Sequence, residues 1–178
     1  MVSGMTHQTL ETKLQDLKPF IGHDYHRYRN HVYRVFLNCL LLDTEESNIE
    51  KYAITAVYHD IGIWTDHTFD YLDPSIAQAR KYLNEIERPE WVEEISLMIY
   101  WHHKVSRYKG KHEKVIETFR RADWIDVSLG LMTFRADLKS IQKNKREFPN
   151  LGFHGFLIKA TMKNLLKHPL NPLPMFKS

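Results

Sequence analysis

The chain has 178 residues, of which 43% are hydrophobic and 26% charged, ordinary globular usage that excludes a disordered or fibrous protein. No apolar run approaches the roughly 20 residues of a membrane span, residues 1–10 carry no basic-then-apolar leader pattern, and the single cysteine, Cys39, leaves no internal disulfide and no thiolate cluster, so the expectation is a cytoplasmic protein with no membrane partner. The formal net charge of +3 belongs to one end, since residues 148–178 hold four lysines and no acidic residue; without a broad basic face, nucleic acid is not an expected partner.

Helical periodicity dominates the chain, and strand-type alternation is missing over any useful length. Leu10, Leu14 and Leu17 predict a short helix over 9–17. Asp24 is placed to cap a second helix reaching about residue 42, with Val32, Val35, Phe36, Cys39 and Leu40 inward. Ser47 and Glu50 make a capping-box pattern for a third, with Gly62 as its stop. An irregular stretch over 63–72 follows, and Asp73 and Pro74 then read as the cap and first residue of a fourth helix. Pro89 opens a fifth, ending at His102 and His103, before a basic loop over 104–111. A sixth helix is expected over 113–129, a seventh over 132–144, a break over 149–155 and a last helix over 156–167, with its lysines on a solvated face. The expected fold is therefore all-α. One bundle of roughly seven to eight helices spans 1–178, residues 131–178 packing on the rest.

The chain holds 11 histidines, and the informative ones lie on apolar helix faces or at helix ends beside carboxylates. A divalent cation needs several imidazole and oxygen ligands converging on one point. Neighbours on a helix diverge by about 100°, so a His-Asp pair serves one ion only where the helix ends, as His59-Asp60 does. His31 on the preceding helix and an aspartate from a distant helix would complete a set of four, leaving positions for water and substrate on an octahedral ion. Two aspartates compete for that last place. Asp123 shares a face with Ile116, Phe119 and Val127, and Asp126 with Val115, Phe119 and Ala122; periodicity does not choose between them.

The segments Arg29-Asn30-His31-Val32-Tyr33-Arg34, Tyr58-His59-Asp60-Ile61-Gly62, Ile99-Tyr100-Trp101-His102-His103-Lys104 and Arg121-Ala122-Asp123, in that order, resemble the HD superfamily of metal-dependent phosphohydrolases over about residues 24–130. The resemblance implies an all-α HD domain with His31, His59, Asp60 and Asp123 as ligands of a divalent ion (Mn, Mg, Co, Ni, Zn or Fe). It implies a metal-activated water that hydrolyses a phosphate ester of a nucleotide or small phosphorylated metabolite. In that scheme Asp60 shares in positioning the water, while His102 and His103 protonate the leaving oxygen, bind phosphate or serve a second metal. Lys104 and Arg107, in the basic loop beside them, are the candidate substrate-binding cations. The sequence departs from the pattern just after the pair, where Ile63 and Trp64 supply no acid; Asp66 is the remaining candidate for a general base. Trp64 and Tyr71 are expected to border a substrate pocket. Two rival readings are a di-iron oxygenase of the same type, which needs further histidines such as His67, His102 or His103, and a metal-binding sensor or interaction module. The oligomeric state is open, a homodimer being one option.

Overall fold

In a computed structural model of the chain, which describes residues 4–68, 70–156, 158, 159 and 162, every regular element is helical. Among the described residues eight α-helices follow one another: α1 (Gly4–Ile21), α2 (Tyr25–Leu42), α3 (Glu46–Tyr58), the single turn α4 (Gly62–Thr65), α5 (Leu72–Glu85), α6 (Val92–Trp101), α7 (Glu113–Val127) and α8 (Leu138–Glu147), with 3₁₀ turns at Gly22–Asp24 and Pro89–Trp91. No strand occurs among the described residues. The predicted helix over 156–167 lies mostly outside them; residues 153–156 form a helical turn.

Helix α2 is the axis of the molecule, packed along α7 and touching α1, α3 and α8. Its inward residues Val32, Val35, Phe36 and Cys39 are fully buried, as their spacing requires. Asn38, on the α7 side, donates to Ala122 O at 3.3 Å and accepts from Asn144 Nδ2 at 3.4 Å, tying α2 to α7 and α8. A single large buried cluster runs from Leu10 and Leu14 of α1 through these residues to Ile116 and Phe119 of α7.

The structure corrects several expected boundaries, each for a local reason. Asp24 stands at the N-cap position of α2, as expected, but makes no side-chain cap bond: its carboxylate instead accepts from Trp64 Nε1 at 3.0 Å and pairs with Arg27 at 3.0 Å. Ser47 is not the cap of α3. It sits inside the first turn, and the residue outside the helix is Glu45, held in extended backbone. Asp73 makes no side-chain cap, because α5 starts two residues earlier than expected, at Leu72, with Tyr71 at the cap position. The predicted seventh helix is displaced towards the C-terminus: α7 ends in a left-handed turn at Leu129 (φ 56°) and Gly130 (φ 79°), and α8 starts only where Asp137 accepts from Ser140 N at 2.8 Å.

Gly62 is the correction that matters for the site. It does not stop a helix in left-handed backbone but opens α4. A Cβ there would lie 2.6 Å from Tyr71 O and 2.9 Å from Pro74 Cβ. Its missing side chain is what lets the start of α5 close onto the end of α3.

Candidate metal centre

Four helices deliver side chains to one buried point. His31 comes from the middle of α2, His59 and Asp60 from the turn after α3, His102 and His103 from the turn after α6, and Asp123 from the middle of α7. The turn after α3 places the His-Asp pair where backbone bonds run Ile61 N–H to Tyr58 O and Ile63 N–H to Asp60 O. The chain no longer follows one continuous helix there, so both side chains face inward.

The donor atoms form two adjoining groups that share a carboxylate. In the first, His31 Nε2 and His59 Nε2 are 2.9 Å apart, with Asp60 Oδ2 at 3.5 and 3.4 Å and Asp123 Oδ1 at 3.8 and 3.9 Å. In the second, Asp60 Oδ1 lies 3.3 Å from His102 Nε2 and 3.9 Å from His103 Nε2, while Asp123 Oδ2 lies 3.7 Å from His103 Nδ1. Ligands on one ion at about 2.1 Å stand roughly 3.0–3.5 Å apart in octahedral or tetrahedral order, so the first group needs only small adjustments to close on a cation.

The hydrogen-bond pattern around the rings makes the same point. His31 Nδ1 faces Asp126 Oδ2 at 2.7 Å, His59 Nδ1 faces Ala56 O at 2.9 Å and His102 Nδ1 faces Ile99 O at 2.5 Å. Each of these partners is an acceptor, so each Nδ1 carries the proton and the neutral ring turns a bare Nε2 lone pair to the centre. Two such lone pairs 2.9 Å apart, or one of them 3.3 Å from a carboxylate oxygen, repel unless a proton or a cation lies between them. Asp60 Oδ1, His102 Nε2 and both oxygens of Asp123 are buried without a hydrogen-bond partner among the described residues. Unsatisfied groups of this kind are costly, and a divalent ion would satisfy them together. The residues therefore fit a metal.

Without a cation the cluster is electrostatically divided. Burial holds His59 down at about 3. Burial also opposes charge on His31, but Asp126 and Asp60 outweigh it and raise that ring to about 9, so in the metal-free chain the shared proton belongs to His31. Burial pushes Asp123 up to about 7. At Asp60 burial is overcome by His59, His102 and His31, which hold the carboxyl well below its ordinary value. Burial lowers His103, and His102 adds to the effect.

Asp126 and Asp123 divide the work that the sequence left open between them. Asp123 faces the cluster, whereas Asp126 stands behind it, receiving His31 Nδ1–H and a fork from Arg34, Nε to Oδ1 at 2.5 Å and Nη2 to Oδ2 at 2.9 Å. Arg34, only 2% exposed, also donates to Phe148 O at 2.9 Å. The ring of Phe153, from the predicted break, stacks on His31 at 4.2 Å. The signal for the Arg34–Asp126 pair lay in spacing: each residue follows a cluster residue by one helical turn, Arg34 after His31 and Asp126 after Asp123. For Phe153 there was no sequence signal.

Lys104 and Arg107 part company. Lys104 is buried, 4% exposed, with its Nζ 4.7 Å from the centre of the Tyr100 ring and without a hydrogen-bond partner among the described residues. Arg107 is exposed and paired with Glu113 at 2.6 Å; the structure does not bring it to the cluster. Asp66 is likewise exposed and accepts from Thr65 Oγ1, a surface position unsuited to a general base. Trp64 is buried between Tyr28 and Phe156, a packing residue, whereas Tyr71 reaches the cluster itself and hydrogen-bonds His103 Nε2. Among the described residues no helix is long and apolar enough to cross a membrane. Compared with family models, curated proteins and solved structures, the chain matches none of them.

Proposed function

We propose that this chain is a metal-dependent phosphohydrolase of the HD type, acting on a phosphate ester of a small metabolite or nucleotide. The observation that carries the reading is the first donor group: two imidazole lone pairs fixed towards each other at 2.9 Å, with Asp60 and Asp123 beside them. A divalent ion held there supplies a water of lowered pKa and neutralises the charge that develops on phosphoryl oxygens.

The chain's own groups do the rest. Asp60 and Asp123 each turn one oxygen to the first group and one to the second, which fixes the spacing between them. His103 is the member with solvent exposure, its side chain 16% accessible against 3% or less for the other five. Substrate therefore enters on the side of His103, whose ring faces its leaving oxygen as the proton donor, while His102, with its proton on Nδ1, keeps its Nε2 lone pair for the second donor group. Lys104 follows directly in the chain. Its ammonium, beside Tyr100 and without a hydrogen-bond partner among the described residues, receives an anionic group of the substrate, and Tyr100 packs with Tyr71, which touches His103. Arg107 has no place in this scheme.

A second reading, the di-iron oxygenase, gains from one observation: Asp60, His102 and His103 form a second three-donor group. A sensor that binds metal without turnover is the remaining rival. The deciding experiment loads wild type and Asp60→Ala with Mn²⁺ or Fe²⁺, measures metal per chain, and assays p-nitrophenyl phosphate, its diester and a nucleotide panel, with oxygen uptake in parallel. Phosphate release in wild type, abolished together with metal in Asp60→Ala, is the expected result. Two irons with oxygen uptake would transfer the site to the oxygenase, and bound metal with neither activity would make it a sensor.

A further inference from the structure

The Tyr71 side chain has no role in the scheme above, yet its place is closely built. Tyr71 is the residue before α5, its carbonyl accepts Ser75 N–H at 2.9 Å, and Gly62 N–H donates to Ser75 Oγ at 3.0 Å. The chain can close this way only because position 62 is glycine, since a Cβ would stand 2.6 Å from Tyr71 O. The segment that follows the His-Asp pair thus seats Tyr71, 2% exposed, against the cluster. Its ring packs with Leu72, Ile63 and Tyr100. Its hydroxyl hydrogen-bonds His103 Nε2 and faces the Asp60 carboxylate, so it stands on two of the three donors of the second group.

The two groups differ in this respect. His31 and His59 each give Nδ1 to a fixed acceptor and keep Nε2 for the centre. His102 does the same. His103 instead spends Nε2 on a phenol. We propose that Tyr71 is a plug of the second donor group: its hydroxyl occupies the place of a second cation, so the chain takes its first metal readily and its second only when the phenol swings away from His103. The inference rests on the metal reading of the cluster. It makes Tyr71 a positioning residue, and it ties occupancy of the second group to a side-chain movement on the face where Lys104 and His103 meet substrate.

Removing the hydroxyl tests this. Tyr71→Phe keeps the ring and its packing, and Tyr71→Leu provides a second variant should the first fold poorly; thermal melting of the metal-free proteins checks both. Mn²⁺ is titrated into the metal-free full chain by calorimetry, with metal per chain counted after gel filtration, and His102→Ala identifies which equivalent belongs to the second group. The expected result is that the second equivalent tightens about tenfold in Tyr71→Phe, the worth of one buried hydrogen bond that no longer has to be broken, while the first moves less than about twofold. A weaker second equivalent in the variant would make Tyr71 a ligand or a support of His103 and overturn the proposal, as would an unchanged one. If neither wild type nor variant binds Mn²⁺, the metal reading itself fails and takes the plug with it.

Discussion

His31 shows how much one residue can depend on groups behind it. Its ring is oriented by Asp126, Asp126 is held by Arg34, and Phe153 covers the ring face. Hydrogen-bonded partners of a ligating histidine commonly contribute 10–100-fold in metal affinity. Asp126→Asn should therefore weaken Mn²⁺ binding about 10–100-fold in calorimetry. It also leaves Arg34 charged and buried without its counter-ion, which costs about 3–5 kcal/mol in such sites, readable as a lower urea midpoint at unchanged slope. The double variant Arg34→Met with Asp126→Leu separates the two effects. It should recover most of the stability, because a well-packed apolar pair often replaces a buried ion pair without loss, and none of the metal affinity. Recovery of both would show that Asp126 serves the fold alone.

At the scale of elements, the join between α2, α3 and α7 is held by a carboxylate. Asp43, directly after α2, accepts from Asn48 Nδ2 at 2.9 Å and Tyr52 OH at 2.8 Å on α3, and pairs with Lys114 of α7 at 2.9 Å. Burial disfavours its charge, but Lys114, Asn48, Tyr52 and the Glu45 N–H outweigh it and hold the carboxyl at about 2. A folded-state value below the unfolded one contributes stability that is complete above the unfolded value, close to 4, and is lost as pH falls towards 2. The contribution is on the order of 1–2 kcal/mol, allowing for water around the exposed Lys114. Denaturant melts of wild type between pH 5 and pH 2 should lose this increment, and Asp43→Asn should be less stable at pH 6 and correspondingly less pH-dependent in that window. Parallel pH profiles for the two proteins would remove Asp43 from the account.

Over the whole molecule, the helices converge on a point that concentrates Asp60, Asp123 and Asp126 with the imidazoles of His31, His59 and His102 in a water-poor interior. A cation bound only by the folded chain stabilises it by mass action, by about 2.7 kcal/mol at one hundred times its Kd. For a domain of this size that is a rise of about 5–10 °C in melting temperature. Added Mn²⁺ should produce it in wild type, a chelator should reverse it, and Asp60→Ala should show neither. Equal shifts in the two proteins would place the bound ion elsewhere on the surface.

Much of this was legible without coordinates, because some physics is local. The 3.6-residue period of apolar side chains gave the helices, and a His-Asp pair at a helix end beside a histidine on an apolar face gave the core of the cluster. Helix ends were read less well, since Asp24 and Ser47 carry capping chemistry but spend it elsewhere: Asp24 on Trp64, and Ser47 on Glu45. Gly62 was read as a helix stop when its role is to admit Tyr71, a contact between residues that no spacing rule connects. The choice between Asp123 and Asp126 was equally invisible to periodicity, since both lie on apolar faces of one helix. What decided it was how α2 packs on α7, with His31 Nε2 turned towards the first and His31 Nδ1 and Arg34 bound to the second. The sequence by itself determined the helices and the kinds of donor atom. Only the tertiary structure decided which donors meet, because that depends on how whole helices rotate and pack against one another.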